Sequence, residues 1–377
     1  MDFTLTDEQQ AIRELFQSFA TKEIRPVAAE LDTEPRFPGE LFARAGELGF
    51  FAMRYPEPEG AGLDVQSFLI ATEELAYGSL AVAACCTMQA LMGSHFVQAF
   101  CTGDVRDRLV PAALAGEVRG TICMTEPDSG SDLFSMKTSA REVEGTWRVT
   151  GQKTWITSAP FADMFTVFAR TGDSDSEERE LSVFLVERGA AGLTVGRAIE
   201  KMGVKASLTS EVSFEDTPAT CMLGELGQGV PYLRRILADI RLMTAALSIG
   251  VARAALDDAL AYSKERVQFG KPICRFQSIQ AHLAEMRTDL EAARRLVQWA
   301  AWRSDQGMEN ADEASMAKLF ASEKAVHTCD LAARILASYG YASEYPVERY
   351  LRDARFLLIG GGTSEILKLN IARGMTR

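Results

Sequence analysis

The segment ICMTEPDSGSD, from Ile122 to Asp132, concentrates residue types that can bind a polar ligand. Its hydroxyl side chains donate and accept hydrogen bonds, and its glycine leaves backbone amides accessible to a bound group. A phosphate or a polar heterocycle requires donors of this kind. The segment therefore predicts either a ligand-binding loop or an ordinary structural turn.

Two further segments place an aromatic ring or a basic side chain beside polar groups. In KTWITSA, Trp155 and Thr157 lie on the same face of an alternating strand, so a flat ring and a hydroxyl are adjacent. In KERVQFGKPICRFQSIQ, the chain runs from Arg266 at the end of one helix, through Phe269, to Gln277 at the start of the next. Each segment alone also fits a structural role, as a core tryptophan or a surface arginine.

The composition is that of an ordinary globular protein, with 377 residues, 47% hydrophobic and 24% charged. The 40 Lys and Arg against 52 Asp and Glu give a net charge of −12, which argues against a general nucleic-acid or anionic-membrane surface. The start MDFTLTDEQQ lacks the features of a secretory signal, and no run of about 18 apolar residues occurs, so we expect a cytoplasmic protein. The 7 cysteines and 3 histidines show no ligand or CxxC spacing, so we expect no disulfide and no metal.

The secondary-structure pattern changes twice along the chain. Thr6 and Gln9 form a capping-box pattern before an amphipathic helix that ends near Pro26, and helical patterns continue to about residue 120. Short runs rich in Val, Phe, Thr and Trp, separated by turn signals such as TGDSDSEE, then indicate strands. Helical patterns return at about 228–265, 276–306 and 309–340, with a last helix starting near Thr363. We predict an α+β fold with a helical domain at 1–120, a β domain at 121–225 and a helical bundle at 226–377.

Five motifs occur together in a fixed order: TEPDSGSD, WITSA, RVQFGKP followed by FQ, YGYASEYPVER followed by RDAR, and GGTSEI. This combination resembles the acyl-CoA dehydrogenase family over essentially the whole chain. The resemblance implies an N-terminal α-helical domain, a middle β-barrel and a C-terminal four-helix bundle, with FAD between the last two and usually a homotetramer. It also implies an oxidoreductase that acts on the α,β carbons of an acyl-CoA or acyl-carrier-protein thioester and passes electrons to an acceptor such as an electron-transfer flavoprotein.

The resemblance implies positions for both ligands. The flavin ring would rest against the loop of Thr125 and the strand of Trp155, and its adenine and pyrophosphate would reach a neighbouring subunit at Arg266. Arg334 stands where the family commonly has glutamine, and an arginine can also donate to a pyrophosphate. The implied cofactor residues are Cys123, Met124, Thr125, Gly130, Ser131, Trp155, Ile156, Thr157, Arg266, Phe269, Gln277, Arg334, Thr363 and Glu365. The implied substrate contacts are Ser131, Arg241 and Gly362.

The three glycines that precede Thr363 gain a role from the same resemblance. Glycines before a helix N-terminus let the backbone approach a bound group, and the first amides of the helix donate to it. Thr363 and Glu365 match family positions near the adenosine portion of the flavin, and Gly362 matches one near the thioester.

The catalytic base that the family uses is missing from both of its usual positions. Removing an α-proton from a thioester requires a carboxylate with a raised pKa, and most of the family has a glutamate where this chain has Gly361. A second branch takes the glutamate from the bundle helix, where this chain has Ile240. Asp239 is the adjacent candidate, although one residue along a helix turns the side chain by about 100°.

Three hypotheses follow. The first is an acyl-thioester dehydrogenase with a relocated base. The second is a flavoprotein of the same fold whose chemistry needs no base there, such as a desulfinase or an enoyl-thioester reductase. A desulfinase should carry an arginine near Ala81 to Cys86 to hold the sulfinate, and LAVAACC has none. The third is a non-catalytic subunit of a heteromer whose partner supplies the glutamate.

Overall fold

The computed structural model describes residues 3–172 and 180–376. Helices occupy the parts of the chain before Gly116 and after Gln228, and strands dominate between them. The predicted α+β fold, with a β domain between two helical parts, is therefore confirmed. The turn signal TGDSDSEE, residues 171–178, lies mostly outside the described residues.

The N-terminal part packs its helices around one apolar core. Thr6 Oγ1 accepts from the amide of Gln9 and the Gln9 side chain accepts from the amide of Thr6, both at 3.2 Å, which confirms the capping box. Pro26 lies in a short 3₁₀ turn after the first helix, where its missing amide is tolerated. The helices are α1 (Asp7–Phe19), α2 (Ala28–Thr33), α3 (Gly39–Glu47), α4 (Val65–Gly78), α5 (Leu80–Thr87), α6 (Ser94–Phe100) and α7 (Gly103–Ala115).

Helices α5 and α6 form one continuous run, Leu80–Phe100, joined by a π-helical turn at Met88–Gly93. Among the described residues it is the one helix that is long and apolar enough to cross a membrane, by length and composition alone. The fold buries 89% of its most apolar window, as expected for the core helix of a folded domain.

The β domain is a single sheet in the order β6-β7-β3-β2-β4-β5-β8, with β1 parallel to β4. Its strands are β1 (Gly120–Cys123), β2 (Ser139–Val143), β3 (Thr146–Thr157), β4 (Met164–Arg170), β5 (Leu181–Glu187), β6 (Leu193–Ala198), β7 (Thr209–Pro218) and β8 (Cys221–Met222). Strand β3 coincides with the predicted segment TWRVTGQKTWIT. The first two residues of the predicted ligand loop, Ile122 and Cys123, belong to strand β1. The loop itself therefore begins after Cys123.

The C-terminal part is a bundle of long helices. They are α8 (Gly229–Glu265), α9 (Gln277–Asp305), α10 (Ala311–Leu336), α11 (Pro346–Leu357) and α12 (Ser364–Met375), and a small hairpin of β9 (Val267–Gln268) and β10 (Lys271–Pro272) separates α8 from α9. Helix α4 packs closely on α8. The approach requires glycine at position 250, because a Cβ there would lie only 2.4 Å from the carbonyl oxygen of Glu73. Arg253 on α8 also bonds Glu73 and Glu74 of α4, at 2.9 and 2.5 Å. These contacts fix the position of α8, which forms one wall of the site.

Candidate active site

The glycine run joins α11 to α12 and contacts α8. Gly361 has a φ of +72° and Gly362 a φ of +105°, both in the region that favours glycine. A Cβ at Gly361 would lie 2.8 Å from Thr244 Oγ1 and 3.7 Å from the Cγ2 methyl of Ile240. The two positions that lack the expected base, Gly361 and Ile240, therefore face the same space.

Asp239 points away from that space. Its carboxylate lies 2.8 Å from Arg54 Nη2, and the Arg54 guanidinium packs over the ring of Phe68 on α4. Ile240 and Thr244, one helical turn apart, instead face the glycine run. This divergence is what the rotation of about 100° per residue predicts. A catalytic role for Asp239 stays a prediction, and its carboxylate would have to leave this ion pair to act as the base.

Lys318 contacts the glycine run, and Arg241, which is half-buried, lies near Lys318. Lys318 on α10 is fully buried and donates to the carbonyl oxygen of Gly362 at 2.7 Å, and burial lowers its pKa to about 8. Arg241 donates from Nη1 to Ser315 Oγ at 3.0 Å, and burial lowers the pKa of its guanidinium. The buried Nε of Arg241 has no hydrogen-bond partner among the described residues. Lys318 therefore holds the backbone of the run, while Arg241 keeps one donor for a ligand, consistent with its implied role.

The loop between β1 and β2 is fastened to β3 by a buried ion pair. Lys153 is fully buried, and its Nζ lies 2.9 Å from Glu126 Oε1. The Glu126 carboxylate also accepts from the amides of Lys137 and Thr138, at 2.6 and 2.9 Å. Burial opposes ionisation of Glu126, but these donors outweigh it and hold its pKa below the usual value. The ion pair and the amides together fix the path of the loop.

Trp155 is presented by an irregularity in β3. The pairing of β3 with β7 shifts register between Lys153 and Ile156, and Trp155 has a φ of +58°. A bulge of this kind turns a side chain out of the regular ladder. The Trp155 side chain is 56% exposed, whereas Ile156 is buried in the sheet core. The ring of Trp155 is therefore available to a flat ligand, and Ile156 can contribute only its backbone.

The other implied residues of the loop differ in exposure. Cys123 is fully buried, so it too can offer only backbone atoms. Thr125 is half-buried, and its carbonyl oxygen accepts from the amide of Thr154 on β3 at 2.9 Å. Gly130 and Ser131 are exposed at the loop tip. The part of the loop that carries Thr125 is thus tied to the sheet, and the tip that carries Gly130 and Ser131 is not.

The implied residues of the bundle lie mostly on its surface. Those that are exposed are Arg266, Phe269, Gln277, Arg334 and Glu365. Phe269 is 94% exposed, and Thr363 caps α12 by accepting from the amide of Ile366 at 3.2 Å. Among the described residues, no hydrogen bond joins these five exposed residues to Trp155 or to the glycine run. Their roles stay predictions.

Sequence reasoning missed four residues that shape the site: Glu126, Lys153, Thr244 and Lys318. Thr244 carried a signal, because it lies four residues after Ile240 and so on the same helical face. Lys153 and Glu126 lay within two of the recognised motif regions, but their pairing depends on how the loop returns to the sheet. Nothing in the pattern around Lys318 distinguishes it from a surface lysine.

One group of possible metal ligands forms away from this site. Carboxylate oxygens of Glu285 and Asp289 on α9 and a ring nitrogen of His327 on α10 lie within 4.8 Å of one another. The Lys324 ammonium, 3.0 Å from Asp289 Oδ2, already supplies positive charge there. The group is therefore explained as a set of ion pairs.

Family models match nearly the whole chain. The acyl-CoA dehydrogenase N-terminal domain matches residues 6–117, the middle domain 121–217 and the C-terminal domain 227–376. Together with the site described above, they define a flavoprotein oxidoreductase that acts on acyl thioesters. The chain belongs to the acyl-CoA dehydrogenase family, as its motifs predicted.

Individual relatives extend the comparison. Benzylmalonyl-CoA dehydrogenase of Aromatoleum aromaticum is 55% identical over 377 residues, 99% of each chain. The structure of butyryl-CoA dehydrogenase from Megasphaera elsdenii superposes with a TM-score of 0.96 at 36% identity, covering 100% of both chains. The FAD complex of PigA superposes with a TM-score of 0.95 at 29% identity, covering 100% of this chain and 99% of that one.

Proposed function

We propose that this protein is an FAD-dependent dehydrogenase of thioesters that carry a carboxylate on the α-carbon, and that loss of CO2 replaces removal of an α-proton. The observation that carries the proposal is the pairing of Gly361 with Ile240, which leaves no proton acceptor at either usual base position. The name of the 55% identical relative supports it, because a benzylmalonyl thioester bears such a carboxylate.

Decarboxylation of the substrate explains why the site can lack a catalytic base. When the bond between the α-carbon and the carboxylate breaks, CO2 leaves and the electron pair of the bond stays on the α-carbon. Removal of an α-proton would leave the same carbanion beside the thioester. The double bond then forms as a hydride leaves the β-carbon, and no proton is transferred to the protein. A glutamate at Gly361 is therefore not required.

FAD is the cofactor that fits the residues of the site. Trp155 offers an exposed flat ring, and the half-buried Thr125 and Thr157 offer hydroxyls from the loop and from the same strand, which are the kinds of group that an isoalloxazine requires. The FAD complex of PigA supports the same cofactor. When bound, FAD supplies the acceptor for the β-hydride.

The residues of this chain would hold the substrate in place. At the start of α12 the amides of Ser364 and Ile366 donate to the Leu358 carbonyl and to Thr363 Oγ1, so among the described residues the amide of Glu365 is the first-turn donor left for a group bound near the glycine run. Lys318 fixes the carbonyl of Gly362 on the other side, so the backbone near the thioester cannot drift. The free Nε of Arg241, on the helix that also carries Ile240 and Thr244, offers a further charged donor. Each of these groups orients the substrate, and none accepts a proton from carbon.

The test compares two thioesters that differ only in the α-carboxylate. Protein loaded with FAD is mixed without oxygen with benzylmalonyl-CoA or with 3-phenylpropionyl-CoA, and flavin bleaching and CO2 are measured. We expect bleaching with equimolar CO2 from the first and no bleaching from the second. Rapid bleaching by 3-phenylpropionyl-CoA would contradict the proposal and favour a relocated base. Bleaching by benzylmalonyl-CoA without CO2 would contradict it as well.

We further propose a cytoplasmic homotetramer that passes electrons to an acceptor such as an electron-transfer flavoprotein. Phe269 and Tyr341 are 94% and 93% exposed, and large exposed aromatic side chains are typical of subunit interfaces. Arg266→Ala should weaken FAD binding while changing the unfolding temperature little, because an exposed arginine contributes little to folding. Flavin content measures the first effect, and thermal unfolding measures the second. Light scattering measures the assembly, and a 41.3 kDa monomer that retains FAD would contradict the tetramer.

A further inference from the structure

We propose that Thr244 binds the α-carboxylate of the substrate and sets the preference for carboxylated over uncarboxylated thioesters. This inference rests on the proposed function and names the residue that recognises the leaving group. The substrate carboxylate would occupy the space in which other members of the family carry their glutamate. A side chain that extended from Gly361 into that space would meet Thr244 Oγ1 first, at 2.8 Å from its Cβ position.

Thr244 Oγ1 is the one polar atom among the three described atoms that lie nearest to a Cβ at Gly361. Thr244 and Ile240 are 3% and 4% exposed, so a carboxylate placed against them is shielded from water. Of the other two atoms, one is Cβ of Thr244 and one is the Cγ2 methyl of Ile240, at 3.6 and 3.7 Å, and neither can form a hydrogen bond. A carboxylate in such a place requires a donor, because an unpaired charge in an apolar wall is strongly unfavourable.

The Thr244 hydroxyl is able to supply that donor. It now donates to the carbonyl oxygen of Ile240 at 2.8 Å, one turn earlier on α8. That carbonyl lies inside a continuous helix and keeps its backbone partner when the hydroxyl turns away. Rotation of the Thr244 side chain therefore exchanges a redundant hydrogen bond for a charge-assisted one, which is the stronger of the two.

The contribution should be seen in binding rather than in the chemical step. A hydrogen bond to the carboxylate exists in the bound substrate and weakens as the carboxylate becomes neutral CO2. An interaction that is stronger in the bound substrate than in the transition state lowers KM and slows the chemical step, so its loss should raise KM without lowering kcat. It should also act only on thioesters that carry the carboxylate. A bond of this strength corresponds to about a 10- to 100-fold change in affinity.

Thr244→Val tests the assignment, since it removes the hydroxyl and keeps the shape of the side chain. We expect KM for benzylmalonyl-CoA to rise about 10- to 100-fold, with kcat unchanged or raised. The dissociation constant of 3-phenylpropionyl-CoA, measured from the perturbation of the flavin spectrum, should stay the same. Thr244→Ser, which restores the donor, should recover most of the wild-type KM.

Thr72→Val is the matched control. Thr72 on α4 is also fully buried, and its hydroxyl donates to the carbonyl of Phe68 at 2.8 Å in the same way. Thr72→Val should lower stability about as much as Thr244→Val does, because each loses a similar buried hydroxyl, but it should leave KM unchanged. The assignment is overturned when Thr244→Val leaves KM for benzylmalonyl-CoA unchanged, when it weakens both thioesters equally, or when Thr244→Ser fails to restore binding. Absence of CO2 release by the wild-type protein is a separate result, which counts against the proposed function itself.

Discussion

Gly361→Glu is expected to create α-proton abstraction in a site that otherwise lacks it. Its Cβ would lie 2.8 Å from Thr244 Oγ1, so the Thr244 side chain must turn aside, and the new carboxylate would then lie near the implied position of the thioester's α-carbon. General-base catalysis typically contributes about 10²- to 10⁴-fold, so bleaching by 3-phenylpropionyl-CoA should rise by about that factor over wild type. Bleaching by benzylmalonyl-CoA should fall, because two carboxylates cannot share the space without repulsion.

Gly361→Ala separates the base from the backbone effect. Both variants place a side chain at a φ of +72°, which costs about 1–2 kcal/mol, but alanine adds no carboxylate. Ile240→Glu repeats the experiment from the facing position on α8. If Gly361→Glu binds FAD and still does not react with 3-phenylpropionyl-CoA, the missing carboxylate is not what limits the wild-type protein. If Asp239→Asn abolishes wild-type turnover, Asp239 is the relocated base and the decarboxylation proposal is wrong.

Lys153→Met should destabilise the protein by about 3–5 kcal/mol, because it leaves the Glu126 carboxylate without its buried cation. The same change should reduce flavin content, since Glu126 holds the loop that carries Thr125. Denaturant unfolding of the FAD-free protein measures the first effect, and absorbance of the purified protein measures the second.

Lys137→Met in the same loop is the control. Lys137 pairs with Asp128 at 2.7 Å, but both side chains are more than 70% exposed, so its loss should change stability little. The pair Lys153→Met and Glu126→Gln should recover part of the loss, because no buried charge is then left unpaired. An unfolding free energy equal to wild type in Lys153→Met alone would contradict the role given to the ion pair.

The lowered pKa of Glu126 means that its stabilising effect is present at neutral pH and disappears as pH falls through that pKa.

Local pattern was sufficient for the parts of the fold that depend on neighbouring residues. The capping box at Thr6, strand β3 and the long helices α8, α9 and α10 follow from hydrogen-bonding side chains and from apolar periodicity within each segment. The direction of Asp239 relative to Ile240 followed from helix geometry alone. In each case the determining contacts lie within a few turns of the chain.

The remaining features of the site depend on contacts between distant segments. The approach of Gly361 to Thr244 requires the connection between α11 and α12 to be placed against α8, which no local pattern encodes. The exposure of Trp155 results from a bulge that depends on pairing with β7, so strict alternation would not have predicted its φ. Burial of Lys153 and Lys318 is similarly a property of the assembled fold.

The hydrogen bonds that hold the loop between β1 and β2 determine what a substitution in each part of the loop can change. Thr125, at its start, is tied to β3 through the amide of Thr154, and the Glu126 carboxylate closes the loop at its far end. Gly130 and Ser131 lie at the exposed tip, outside these ties. A substitution at the tip should therefore change substrate binding without loosening the part of the loop that carries Thr125, which is the part proposed to face the flavin.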